Sequence, residues 1–163
     1  MLLRQPPRLR ISRRRMLAAA LAVLLPAVPV HAEDGVAFVR DLYARQVALH
    51  NARGRMTQAD FLPLFALSLR ALMQAPRPGL AREPAGPILN AFFGWGILPG
   101  QPVTLQRVRA GAGGAVAVEI VARGAPRLLT VRLVREQSLW KIADISYGHG
   151  ESLLAYYRRI TQG

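Results

Sequence analysis

"LVREQSLWKIADI", residues Leu133 to Ile145, alternates apolar and polar positions, breaks at Glu136-Gln137-Ser138, and resumes the alternation. A period of two on both sides of a short polar break is the pattern of two half-buried strands joined by a tight turn. Leu129, Val131 and Leu133 fall on one face of the first strand. Trp140, Ile142 and Asp144 have the same parity and are predicted to share a face of the second.

The same period extends back along the chain. "VTLQRVR" from Val103, "AVAVEIVA" from Ala115, "RLLTVRLVRE" from Arg127 and "LWKIADISY" from Leu139 each read as strands, with "AGAGG", "RGAP" and "EQS" as turns. Four successive antiparallel strands form a meander. Ahead of them the period is helical. A helix is predicted from Gly35 to His50, capped by Asp34, with Val36, Val39, Tyr43 and Val47 on its buried face. A loop follows over residues 51–56. A second helix is predicted from Thr57 or Asp60 to Gln74, with Asp60 favoured as cap because Pro63 then lies in the first turn. A last helix is predicted from about Gly150 through Ile160. Helices first and then a run of strands is the α+β class.

Between these halves, Pro76, Pro78, Pro84, Pro87, Pro99 and Pro102 forbid any long regular element. Within that stretch "ILNAFFGWGIL", Ile88 to Leu98, is apolar enough for one or two helical turns over an opening. Phe92, Phe93 and Trp95 serve there either as a hydrophobic plug or as a ligand wall, and burial of such large rings favours the plug.

The chain opens with six arginines and no acid, then runs apolar from Met16 to Val30 and ends in Val30-His31-Ala32. A basic start, an apolar stretch and small residues before the break are the marks of a cleavable export signal. Residues 1–32 are therefore predicted to be removed after Ala32, leaving a single domain from Glu33 to Gly163 in the periplasm. The apolar run is shorter than the roughly 20 residues that cross a bilayer and holds two prolines, so membrane contact is expected only during export. "SRRRML", Ser12 to Leu17, resembles the twin-arginine export motif, with Ala18 where a lysine is usual; ordinary unfolded export is the alternative.

The formal net charge is +13, with 22 basic and 9 acidic residues. All but Lys141 of the basic residues are arginine, and beyond the leader they are scattered without a run of like charge, which argues against a nucleic-acid surface. With no cysteine, the domain depends on its apolar core and has neither disulfide framework nor thiolate chemistry. Beyond the leader His50 and His149 are the histidines, too far apart for a metal motif. No phosphate loop or nucleophile elbow occurs, and no cofactor is predicted.

"FVRDLYA" (Phe38 to Ala44), "LSLRALM" (Leu67 to Met73) and "LVREQSLWKIADI" together resemble the nuclear transport factor 2-like superfamily. More narrowly, they resemble the bacterial exported family called domain of unknown function 3828. Relatives often carry Asp-Asp where this chain has Ala143-Asp144. The resemblance implies a curved sheet wrapped on helices around a conical pocket, with an outer face that can form a homodimer. Such a pocket serves enzymes and binders alike. The preferred expectation is a non-catalytic module binding a small hydrophobic molecule or an envelope protein, with Tyr43, Phe92, Phe93, Trp95 and Trp140 lining the site. The alternative is a small hydrolase or isomerase using Asp144 with Tyr147 or His149, desolvation making the carboxyl a base.

Overall fold

The computed structural model describes residues 30–82 and 89–162. The expected leader up to Pro29, and Ile88 at the head of the apolar run, lie outside the described residues.

The architecture is α+β: N-terminal helices pack on a five-stranded antiparallel sheet, and a short helix closes the chain. Helix α1 (Val30–Asn51) begins before Asp34. Asp34 is therefore not its cap. Its carboxylate instead lies 3.5 Å from Arg135 on the sheet. The buried face of α1 carries Val39, Leu42, Tyr43, Gln46 and His50, the three- and four-residue spacing of one helical stripe.

The predicted second helix is two. Helix α2 (Gln58–Phe61) passes through a 3-10 turn at Leu62–Leu64 into an extended step, and α3 (Leu67–Gln74) follows. Its cap is Thr57 rather than Asp60: the Thr57 hydroxyl oxygen accepts from the Asp60 amide at 3.2 Å, and the Asp60 carboxylate accepts back from that hydroxyl at 2.6 Å. Pro63 has no amide to continue an α-helix. Beyond it, Phe65 makes a parallel bridge to Ile142, and the Ala66 amide donates to the Ile142 carbonyl at 2.8 Å. Pairing with the sheet thus takes the backbone groups that a continuous helix would have used.

A second 3-10 turn, Pro78–Arg82, packs against the last helix. The apolar run is then a small hairpin, β1 (Leu89–Asn90) with β2 (Gly94–Trp95), not the helical turn expected. Asn90 Oδ1 accepts from the Phe92 and Phe93 amides at 3.0 and 3.2 Å, which fixes a turn where a helix would need those donors elsewhere.

The predicted meander is present as β3 (Val103–Ala110), β4 (Val116–Ala122), β5 (Ala125–Glu136) and β6 (Leu139–Gly148) in sequential order. A short β7 (Glu151–Ser152) pairs with β6 before α4 (Leu153–Gln162), so the last helix starts later than Gly150. His149 and Gly150 both have positive φ, which turns the chain tightly enough for this extra rung. Gln137 and Ser138 likewise have φ of 50° and 66°, the two-residue turn that joins β5 to β6.

The register of β6 departs from strict alternation. Arg132 pairs with Asp144 and Leu133 with Ile142, leaving Ala143 as a bulge. The bulge reverses parity: Ile142 and Ile145 both enter the core, while Asp144 leaves the face it was predicted to share with Trp140 and Ile142. Among the described residues no helix is long and apolar enough to cross a membrane.

Candidate functional site

The helix stripe, the hairpin and the open side of the sheet meet in one aromatic cluster. Phe92 and Phe93 are buried, and both rings stand edge-on to Tyr43, with centroids 6.2 and 6.3 Å apart. Phe61 and Phe65 continue the cluster from the other side, at 5.9 and 6.0 Å from Phe92. This is the plug anticipated for the apolar run.

Two phenols hold the plug, Tyr43 fully buried and Tyr147 half-buried. Tyr43 donates to the Phe92 carbonyl at 3.1 Å, and Tyr147 of β6 donates to the Ala91 carbonyl at 2.7 Å. Burial raises the pKa of Tyr43 well above the ordinary phenol value. Tyr147 is raised as well, first by burial and then by the neighbouring Tyr43, Asp144 and Tyr157. Both therefore remain donors, and neither serves as a base near neutrality.

Beside the plug lies a cleft of about 330 Å³. Its walls come from separate parts of the chain: Gln46, Leu49 and His50 of α1, Arg55 and Met56 of the following loop, Asn90 and Phe93 of the hairpin, and Tyr157 of α4. Other hollows are larger, but one of about 680 Å³ is lined by α2, α3 and the turn between them, and one of about 550 Å³ by strands β3 to β5 alone. His50 is buried, and its ring stands 5.1 Å from Phe93. Its Nε2 lies 3.0 Å from the Gln101 carbonyl. A carbonyl only accepts, so Nε2 is the donor in this contact. Asn51 exchanges two hydrogen bonds with Val103, which anchors this end of α1 to the first long strand. Comparison with protein-family models, curated proteins and solved structures finds no match for this chain.

The fold does not gather all the predicted ligand-wall residues. Tyr43, Phe92 and Phe93 come together. Trp95 lies against Tyr156 of α4, with centroids 5.3 Å apart, and its carbonyl accepts from Arg127 at 3.2 Å. Trp140 is wedged beneath Gly35 of α1, and Arg135 covers its ring at 4.6 Å. Its Nε1 is buried without a hydrogen-bond partner among the described residues.

Nor do the proposed catalytic groups converge. Asp144 Oδ1 accepts from the Ile145 and Leu154 amides, both at 2.9 Å, and Oδ2 lies 3.4 Å from Arg132. The carboxylate thus ties β6 to the first turn of α4 and pairs with an arginine of β5. His149 is exposed in the β6–β7 turn. Tyr147 spends its hydroxyl on the hairpin.

The cleft residues that sequence reasoning missed are Gln46, Arg55, Asn90 and Tyr157. Gln46 and His50 are one turn apart within an apolar stripe, and Asn90 is the lone polar residue in its run; both signals are visible in the sequence. Arg55 and Tyr157 join only through the folded topology.

Proposed function

We propose that this chain is an exported, periplasmic binding module of nuclear transport factor 2-like build, released by cleavage after Ala32, which holds a small organic molecule without transforming it. The ligand sits in the cleft beside the aromatic plug, because the space inside the curved sheet is already filled by Phe92 and Phe93. One observation carries this reading. A cleft with apolar walls and several polar groups draws its lining from four separate stretches of chain, which is the build of a ligand site. A hydrolase or isomerase using Asp144 has less support, since that carboxylate already accepts two backbone amides and faces an arginine.

Two measurements test it. N-terminal sequencing of the protein recovered from the periplasmic fraction should begin at Glu33. Native mass spectrometry of the same material should show a small-molecule adduct, and amide NMR shifts on adding the extracted molecule should centre on His50, Asn90 and Phe93. An adduct-free protein whose cleft amides respond to no compound in a varied small-molecule library refutes the binding reading.

A further inference from the structure

The charge of the cleft is one-sided: Gln46 and His50 bring acceptor atoms as well as donors, but Arg55 has no acidic side chain beside it in the lining. Asn90 Oδ1 is occupied by the Phe92 and Phe93 amides, so its free capacity is the two donors of Nδ2. Tyr157, half-buried at the rim, is held protonated chiefly by burial, opposed by Arg77 and reinforced by Tyr156. Its hydroxyl makes no hydrogen bond among the described residues, and the same is true of the Arg55 guanidinium, which has no ion-pair partner there either. No aspartate or glutamate lines the cleft. The apolar part of the lining is supplied by Leu49, Phe61, Leu89, Phe93 and Pro99.

Resting on the binding reading above, we infer that the ligand is a small carboxylate with an apolar, flat body. The carboxylate oxygens accept from Arg55, Asn90 and Tyr157, and the body lies against Phe93 and Leu49. A carboxylate offers two acceptor oxygens and a charge, which matches donors that include one guanidinium. A cationic ligand finds no counter-charge in this lining. A neutral alcohol of the same shape leaves the guanidinium without an anionic partner.

The test uses protein purified after expression of the full chain, with 3-phenylpropionate, 3-phenylpropanol and 3-phenylpropylamine as matched probes, titrated by amide NMR. The acid should shift the cleft amides and bind at least about tenfold more tightly than the alcohol or amine, about 1.4 kcal/mol. Arg55→Gln should erase most of that preference while leaving alcohol binding within about twofold. Arg55 is exposed, so a melt matching that of the unsubstituted chain confirms that the variant folds. Tyr157→Phe should reduce acid binding by a smaller factor. Equal binding of acid and alcohol, or an Arg55→Gln chain that keeps the preference, overturns the carboxylate assignment while leaving a cleft that binds. Failure of the acid to shift any cleft amide also overturns the carboxylate assignment, whereas the binding reading itself falls only with the adduct-free, library-unresponsive protein described above.

Discussion

Asp144 connects a strand, a helix and an arginine through a single carboxylate. Its two amide contacts hold the first turn of α4 on β6, whereas the partnering Arg132 side chain is 63% exposed and contributes little through charge alone. Asp144→Ala should therefore cost about 1–3 kcal/mol, mostly from the Ile145 and Leu154 amides left without acceptors. Urea unfolding reads this directly, and Asp144→Asn, which keeps an acceptor oxygen, should recover part of the loss. The phenols predict a pH dependence of definite sign. Tyr43 and Tyr147 keep their protons in the folded chain beyond the point, about pH 10, where an unfolded tyrosine loses its own. Above that pH the folded state binds more protons, so stability is fully present below about pH 10 and falls as pH rises further, by about 1.4 kcal/mol per pH unit for each retained proton. Tyr147→Phe should lower stability at neutral pH by leaving the Ala91 carbonyl unsatisfied, and should make the decline between pH 9 and pH 11 shallower. An equally steep decline in the variant would count against a protonated Tyr147.

At the scale of elements, the strands were legible because a half-buried sheet must alternate, and their order followed from turns too short for anything but hairpins. The bulge at Ala143 was legible too, though only from a finer signal. Ile142 and Ile145 are three apart, and no regular strand buries both. Parity counted from Trp140 instead sent Asp144 to the wrong face. The second helix failed for a different reason. Its apolar residues suit a helix all round, but Pro63 and the bridge from Phe65 to Ile142 divide it, and the bridge depends on a strand about 80 residues downstream. The β5–β6 turn carries its own prediction. Gln137 and Ser138 occupy left-handed φ values that Asn and Gly adopt at lower cost. Replacing the pair by Asn-Gly should stabilise the protein by about 1 kcal/mol, some of the gain being offset by the freer unfolded glycine. A thermal melt should rise by roughly 4 °C.

Across the whole molecule, the chain fills its curved sheet with its own hairpin and leaves a cleft along the seam between α1, the hairpin and α4. That arrangement explains why the ligand-wall candidates come together only in part. Apolarity alone finds Tyr43, Phe92 and Phe93, but large rings suit filling a core as well as lining a site. Among the side chains described, the core contribution of α1 begins at Val36 and Val39, so a chain starting at Glu33 should keep the melting temperature of the full-length chain within about 2 °C, as differential scanning calorimetry can measure. A drop well beyond that would show that preceding residues contribute to the fold.

The wedged indole of Trp140 has an optical consequence. The chain has two tryptophans, and they watch different joints: Trp140 the contact of α1 with the sheet, Trp95 the contact of the hairpin with α4. An indole shielded from water and without a hydrogen-bonded N–H emits towards the blue, so the Trp95→Phe chain should fluoresce at shorter wavelength than the Trp140→Phe chain. The two single-emitter proteins give, without any attached dye, separate readouts of whether both joints open in the same step.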